Sequence, residues 1–145
     1  MLFSVVIPTY NRAALLGRTL DSLWRQSCTD FEVIVVDDGS TDGTLDYLTT
    51  LGGRVQVVTQ PNQGPGAARN LGAENARGEY LAFLDSDDLW FPWTLSTFAE
   101  AIAKHQRPDF ISASLKLFSA DRELDKVRQE PLSVEARGSR VHLSL

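Results

Sequence analysis

FEVIVVDDGST, residues 31 to 41, passes from a nearly continuous apolar run directly into two carboxylates, a glycine and two hydroxyl side chains. A strand buried on both faces of a parallel sheet has such a continuous apolar sequence, whereas a strand with one solvated face alternates. Asp, Gly and Ser favour a turn from a strand into a helix. The segment therefore predicts a buried parallel strand that is followed by a turn and a helix.

The same pattern recurs along the chain, since FSVVI at 3–7, VQVV at 55–58 and YLAFL at 80–84 also predict strands. Alternating strands and helices predict an α/β fold with a doubly wound, mostly parallel, Rossmann-like sheet and helices on both faces. The first predicted helix has an apolar stripe of Leu15, Leu16, Leu20, Leu23 and Trp24. Three further helices are predicted from Asp42 to Leu51, with Ser40 or Thr41 as N-cap, from Pro65 to Ala76, and from Thr94 to His105. A strand from Phe110 to Phe118 is predicted after the last helix.

The domain organisation follows from a change in composition near residue 118. Residues 1–118 contain all the predicted strands and helices and are expected to form one α/β domain. Residues 119–145 are rich in charge and contain few large apolar side chains, which predicts a solvated, poorly ordered segment.

The overall composition excludes several classes of partner. Nineteen acidic against 14 basic residues give a formal charge of -5, which does not fit nucleic acid or an anionic membrane surface. The single cysteine, Cys28, excludes an internal disulfide and is expected to be a packing residue. No apolar run approaches the roughly 20 residues of a membrane helix. We therefore expect a cytoplasmic protein, either soluble or peripheral at the inner face of the membrane.

Four polar motifs come directly after the predicted strands: PTYN at 8–11, DDGS at 37–40, QPNQGPG at 60–66 and DSDD at 85–88. Ligands of open parallel sheets bind at the carboxyl ends of the strands, near the point where the strand order reverses. The four motifs are therefore expected to meet along one edge of the sheet.

The DSDD motif is the strongest chemical signal of the four. Like charges this close raise each other's pKa unless a cation binds between them. Mg²⁺ or Mn²⁺ is the natural partner, since either binds carboxylate oxygens and leaves positions for substrate phosphates. The alternative is helix capping by Asp87 or Asp88, which explains one aspartate but not all three.

The other motifs each allow two interpretations. Asp37 and Asp38 either serve only the turn and the cap of the following helix, or have a functional role, since two adjacent carboxylates are more than capping requires. GPGAARN does not follow the first strand, where a dinucleotide-binding fingerprint belongs, so it is not such a fingerprint. Arg69 within it either belongs to an anion site at a helix N-terminus or is a solvated side chain. Tyr10 is expected to flank a flat base, and Asn11 to cap the helix that follows.

The motifs together resemble a known family. VVIPTYN, VIVVDDGSTDGT and NQGPGAARNLGAENARGEYLAFLDSDD, in this order and spacing, resemble the nucleotide-sugar-binding half of family 2 glycosyltransferases of the GT-A fold. The resemblance covers about residues 3 to 95. It implies nucleotide contacts from Pro8, Thr9, Tyr10, Asp38, Arg69 and Asp85. Among these, Asp38 is implied at the base, Arg69 near the base and diphosphate, and Asp85 at the ribose. It also implies a metal site at Asp87 with Asp85.

The resemblance also implies an activity. The family transfers a sugar from a nucleoside diphosphate donor, here expected to be UDP-linked, to a hydroxyl of a saccharide, lipid or other acceptor. It does so with inversion and with Mn²⁺ or Mg²⁺, typically in the synthesis of cell-envelope polysaccharides. A catalytic base is expected downstream of Leu145, so we interpret the chain as an N-terminal portion or a short member.

Three other classes stay open. A nucleotide-binding module without catalysis would share the same motifs. A sugar-phosphate nucleotidyltransferase shares the α/β layout, but its first strand should lead into a glycine-rich loop with a basic residue rather than PTYN. A receiver domain would carry its acidic pair after the first strand, whereas Asp37 and Asp38 follow the second.

Overall fold

The computed structural model describes residues 1–113, 133–137 and 140–144. The chain divides into two compact units, residues 1–93 and 94–145. The first unit contains β1 (Phe3–Thr9), α1 (Ala13–Trp24), β2 (Phe31–Asp37), α2 (Thr44–Thr50), a 3₁₀ turn (Gly52–Arg54), β3 (Gln56–Thr59), α3 (Pro65–Glu74) and β4 (Tyr80–Phe83). The second contains α4 (Thr94–Lys104), β5 (Phe110–Ala113), β6 (Ser133–Arg137) and β7 (Arg140–Ser144).

The first unit is built on a fully parallel sheet of order β3-β2-β1-β4. The chain steps outward from β1 to β2 and β3, and then crosses back to place β4 on the other side of β1. The strand order therefore reverses between β1 and β4, and the loops that follow these two strands separate to leave a crevice. The four predicted strands and the parallel sheet are confirmed, with β3 shifted by one residue.

Helix α3 packs against one face of this sheet. Ile34, Val36 and Ala68 form a buried cluster there. Gly72 allows the close approach, because a Cβ at this position would clash with Val6 and lie 3.1 Å from Val36 Cγ2. The alternate residues of β1 and β2 point to the opposite face and are buried as well, as the near-continuous apolar sequences predict.

The second unit contains a separate three-stranded sheet of order β5-β7-β6, in which β7 runs parallel to β5 and antiparallel to β6. Residues 133–137 and 140–144 thus form paired strands, while the solvated, poorly ordered segment at 119–145 stays a prediction. Their register pairs Val134 with Leu143 and Ala136 with Val141, so a short alternating apolar pattern was hidden among charged residues.

The predicted strand from 110 to 118 is confirmed for residues 110–113, and its remainder lies outside the described residues. The predicted domain boundary at residue 118 stays a prediction for the same reason. Within the described ranges, no helix is long and apolar enough to cross a membrane.

A polar cluster fastens the amino ends of the strands in the first unit. Glu32 accepts hydrogen bonds from Ser4 Oγ at 2.6 Å and from the backbone N–H, Nε and Nη2 of Arg77 at 2.8, 3.0 and 2.6 Å. Burial raises the pKa of Glu32, but the hydrogen bonds from Ser4 and Arg77 outweigh burial and hold the pKa below its ordinary value. The cluster therefore joins β1, β2 and the turn before β4 at the edge opposite the polar motifs.

This cluster gives a pH-dependent stability prediction. Glu32→Gln should lower the free energy of unfolding at pH 7 by about 1–3 kcal/mol, because charge-assisted hydrogen bonds are lost. A carboxyl with a lowered folded-state pKa stabilises the fold above its unfolded value, 4.5, and loses that contribution as the pH falls further. Urea unfolding at several pH values should show the difference between the two proteins shrinking below pH 4.5. A difference that stays constant with pH would contradict this role.

Candidate functional site

A cleft of about 540 Å³ opens at the carboxyl edge of the first sheet. All seven residues assigned to the site from the sequence line this cleft: Pro8, Thr9, Tyr10, Asp38, Arg69, Asp85 and Asp87. They come from four separate segments, namely the end of β1 with the residue after it, the turn after β2, helix α3 and the turn after β4, which meet as the parallel topology requires. The structure thus brings the predicted residues together, while their individual roles stay predictions. The remaining lining residues are Arg12, Asn62, Gly64, Pro65 and Ser86.

The loops after β1 and β2 are joined by side chains that the sequence assigned to helix caps. Asn11 was expected to cap α1 but instead accepts hydrogen bonds at Oδ1 from the backbone N–H groups of Thr41 and Asp42, at 2.8 and 3.3 Å. Ser40 was one of the two expected caps of α2, yet its Oγ accepts from the backbone N–H of Asn11 at 2.9 Å. Neither α1 nor α2 has a side-chain cap bond at its N-cap residue. The predicted caps are therefore wrong, and these side chains fix one loop against the other.

Asp38 anchors the third loop of the cleft. Its carboxylate accepts hydrogen bonds from Gln60 Nε2 at 2.6 Å and from the backbone N–H groups of Gln63 and Gly64 at 2.9 and 2.8 Å. Burial raises the pKa of Asp38, but these three hydrogen bonds outweigh burial and leave the pKa below its ordinary value. Asp38 is therefore an ionised acceptor that holds the loop and keeps a lone pair on Oδ2 for a ligand.

Helix α3 begins at the wall of the cleft. Gly64 adopts φ +90°, which glycine tolerates, and Pro65 occupies the first turn, where a missing N–H costs nothing. The N-terminus of a helix favours anionic groups because its first N–H groups are unpaired within the helix. Arg69 lies one turn further and forms an ion pair with Asp85. This wall of the cleft is therefore suited to negative charge.

The DSDD segment forms a tight turn rather than a helix start. The backbone N–H of Asp88 donates to the carbonyl of Asp85 at 3.0 Å, and the next helix begins only at Thr94. Burial, together with the charges of Asp85 and Asp87, raises the pKa of Asp88 above its ordinary value. Helix capping by Asp87 or Asp88 before the turn at 89–93 is therefore wrong, and the acidic turn presents Asp85 and Asp87 to the cleft.

Helix α1 holds this acidic turn in place. Thr19 Oγ1 donates to the carbonyl of Ser86 at 3.0 Å, and both residues are buried. Gln26 Nε2 donates to the carbonyl of Phe91 at 2.7 Å, which fixes the chain beyond the turn. The positions of the two cleft carboxylates thus depend on Thr19 of α1 and on Gln26, which lies just beyond the end of that helix.

The two carboxylates are each paired with an arginine. Asp85 pairs with Arg69, and Asp87 Oδ2 lies 3.7 Å from Arg12 Nε. Their side chains are 50% and 49% exposed, so both are open to a ligand. Among the described residues, no group of three or more His, Cys, Asp or Glu side chains is arranged to hold a metal by itself. The donor set instead fits a hard divalent cation that takes one or two carboxylates and completes its shell from phosphate oxygens.

Sequence reasoning missed Arg12, Asn62 and Ser86. Arg12 directly follows PTYN, and a cation beside carboxylate-bearing loops was the signal available. Asn62 reaches the cleft because its backbone packs closely against Gly39. Gly39 has φ +77°, and a Cβ at this position would lie 2.9 Å from the Asn62 backbone nitrogen. That contact depends on tertiary structure and left no readable signal.

Comparison with known proteins identifies the family of the chain. The model of the family described as "Glycosyl transferase family 2" matches residues 4–141. This chain belongs to glycosyl transferase family 2. The PGL/p-HBAD biosynthesis glycosyltransferase of Mycobacterium bovis is 43% identical over 115 residues, which are 76% of this chain and 45% of the relative.

Solved structures of this family confirm the GT-A, α/β fold class. S. aureus TarS 1–349 in complex with UDP-GlcNAc is similar with a TM-score of 0.69 and 33% identity, over 83% of this chain and 37% of that chain. The mannosyltransferase PcManGT from Pyrobaculum calidifontis in complex with GDP-Man and Mn²⁺ has a TM-score of 0.62 and 30% identity, over 79% of this chain and 35% of that chain. The family 2 chain thus spans less than half the length of each of these proteins.

Proposed function

We propose that the cleft binds a nucleoside diphosphate sugar with a divalent cation, as the donor site of an inverting glycosyltransferase. One observation carries the proposal. Seven residues predicted from four distant motifs line a single cleft at the strand-order reversal of a family 2 chain. The volume, about 540 Å³, is in the ordinary range of small-molecule sites.

The base subsite is proposed at the loops after β1 and β2. Tyr10, 44% exposed, offers an aromatic face, and Asp38 offers an ionised acceptor for a base N–H. Thr9 Oγ1 is buried at the cleft without a hydrogen-bond partner among the described residues, a costly state that a ligand would relieve. A uracil ring offers both a donor and acceptors, which supports UDP as the donor nucleotide.

The diphosphate subsite is proposed between the N-terminus of α3 and the acidic turn. Asp87, with Asp85, would hold Mn²⁺ or Mg²⁺, and Asp85 would also reach the ribose. The cation would supply charge neutralisation for the diphosphate as it leaves. Arg69 and the helix N-terminus contribute positive charge from the protein itself. The Mn²⁺ in the Pyrobaculum neighbour supports a divalent cation but does not distinguish Mn²⁺ from Mg²⁺.

The reaction follows from this arrangement. The acceptor oxygen attacks the anomeric carbon from the face opposite the diphosphate, so the bond to the leaving oxygen breaks as the new bond forms and the configuration inverts. A carboxylate base takes the acceptor proton. We propose that the product belongs to a cell-envelope polysaccharide.

A panel of nucleotides tests the donor site. UDP with MnCl₂ should raise the melting temperature of the chain by roughly 5–10 °C at about 100 times its Kd, because the ligand binds only the folded state. GDP and dTDP should give smaller shifts if Tyr10 and Asp38 select the base. No shift with any of the three would overturn the proposal.

Turnover separates the proposal from a binding module without catalysis. A polypeptide that contains this chain together with an acceptor-binding half should consume a UDP-sugar in the presence of hydroxyl acceptors, as followed by ³¹P NMR, and its Asp87→Asn variant should not. Tight binding of UDP without consumption of any donor would favour the binding module.

A further inference from the structure

The two arginines of the cleft approach the acidic turn from different elements. Arg12 lies in the loop between β1 and α1, and Arg69 lies on α3. Each pairs with one carboxylate, Arg12 with Asp87 and Arg69 with Asp85. The carboxylates proposed to hold a cation are thus each paired with a positive charge of the protein.

The charge balance of the lining explains why this pairing matters. Two arginines and three aspartates line the cleft, so its walls carry one net negative charge. An anionic nucleoside diphosphate gains little from such walls. A divalent cation on the aspartates reverses the sign and leaves both guanidinium groups available to phosphate oxygens.

We propose that Arg12 is a positioning residue that exchanges partners: it holds Asp87 in the free cleft and moves to the diphosphate when a divalent cation takes Asp87. The inference rests on the proposed function and adds a residue, and an order of events, to it. Arg12 then competes with the cation when nucleotide is absent and assists the nucleotide when the cation is present.

The geometry of Arg12 suits such an exchange. The Nε to Oδ2 distance is 3.7 Å, and the two side chains are 43% and 49% exposed, so the ion pair is weak and water is close by. The backbone is fixed, because the Arg12 N–H donates to Thr44 Oγ1 at 2.9 Å and the preceding Asn11 is held with φ +51°. Among the described residues, the guanidinium is otherwise held only by a long hydrogen bond from Nη1 to the carbonyl of Asn11, 3.4 Å, so it can change partners without a loop movement.

The exchange predicts opposite effects of one substitution on two ligands. Arg12→Gln should bind Mn²⁺ alone about two- to fivefold more tightly, since loss of a surface ion pair releases roughly 0.4–1 kcal/mol. The same variant should bind UDP about tenfold more weakly at saturating Mn²⁺, since one charge-assisted contact to phosphate is lost. A residue with only a structural role would weaken both.

The experiment measures free Mn²⁺ by electron paramagnetic resonance during titration of the full chain, followed by calorimetric titration with UDP. Arg25→Gln is the matched control, because it removes the same charge from an exposed position at the end of α1, outside the cleft. Melting curves show that each variant is folded. The expected result is opposite shifts for Arg12→Gln and none for Arg25→Gln.

Three outcomes would overturn the exchange. Unchanged or weaker Mn²⁺ binding by Arg12→Gln would show no competition for Asp87. Equal effects of Arg25→Gln would show that the shifts come from the change in net charge of the protein and not from the position of Arg12. Unchanged UDP affinity at saturating Mn²⁺ would show that Arg12 does not reach the diphosphate. If the wild-type chain binds no UDP at saturating Mn²⁺, the proposed function itself fails, and this result is distinct from all three.

Discussion

Asp87→Asn is expected to weaken Mn²⁺-dependent binding of UDP by roughly 100-fold, equivalent to about 2.7 kcal/mol. The substitution keeps the shape of the side chain and removes the negative charge on which the proposed cation site depends. Stability should change by less than about 1 kcal/mol, because the charge pairs only with a half-exposed arginine at 3.7 Å. Calorimetric titration of UDP with and without MnCl₂ measures the binding loss, and urea unfolding measures the stability.

The control for this prediction is Glu74→Gln, which removes the same charge from an exposed position at the end of α3. It should leave the UDP affinity unchanged. An Asp87→Asn protein that binds UDP as tightly as wild type, with or without Mn²⁺, would show that the carboxylate holds no cation. A variant that does not fold would instead make Asp87 structural.

Gly78→Ala should be among the most destabilising single substitutions in the first unit, at about 3 kcal/mol and a fall in melting temperature of roughly 10 °C. A Cβ at this position would lie 2.5 Å from the carbonyl carbon of Phe3 and 2.5 Å from the backbone nitrogen of Ser4. Backbone atoms of a central strand cannot move aside as a flexible side chain does. The hydrogen bond from the Gly78 N–H to Ser4 Oγ, 2.7 Å, would be distorted as well.

Gly53→Ala is the matched comparison, since a Cβ added at this position would meet no atom within 4 Å and its φ is not in the left-handed region. Its stability should stay within about 0.5 kcal/mol of wild type. Thermal unfolding of the wild-type protein, Gly78→Ala and Gly53→Ala tests both expectations. Equal stability of Gly78→Ala and Gly53→Ala would show that the turn before β4 is loosely packed against β1.

Asp87→Asn and Gly78→Ala act at opposite edges of the same sheet. Glu32, Arg77 and Gly78 join the amino ends of the strands, whereas Asp38, Asp85 and Asp87 lie at the carboxyl ends. Binding and stability should therefore be separable by mutation: changes at the amino edge lower the melting temperature, and changes at the carboxyl edge alter ligand affinity.

The sequence predicted the sheet because strands buried on both faces have a distinctive apolar pattern. Residues 31–36 carry that pattern and are buried from Val33 onward, whereas β4 carries the same pattern at the edge of the sheet and leaves Leu81 and Phe83 exposed. Polar motifs follow both strands. The carboxyl ends of parallel strands lie at one edge of the sheet, so the motifs must meet there. The positions of Asp38 and Asp87 in the cleft could therefore be predicted from the strand pattern alone.

The local partners of the loop residues could not be predicted in the same way. Asn11 and Ser40 are good cap residues by type, yet they bond across to the neighbouring loop, because β1 and β2 end side by side. The strands at 133–137 and 140–144 were missed because their alternation is short and their stability depends on pairing with each other. Tertiary contacts decide such cases over local preference.

The most direct test of the account locates the ligand by NMR on the ¹⁵N-labelled chain. UDP with Mg²⁺ should shift the amides of residues 9–12, 38–40, 62–64 and 85–88, and leave those near Glu32 and Gly78 unchanged. Replacement of Mg²⁺ by Mn²⁺ should broaden most strongly the amides of residues 85–88. Shifts centred on the amino edge of the sheet, or Mn²⁺ broadening away from the acidic turn, would contradict a donor site at the carboxyl edge.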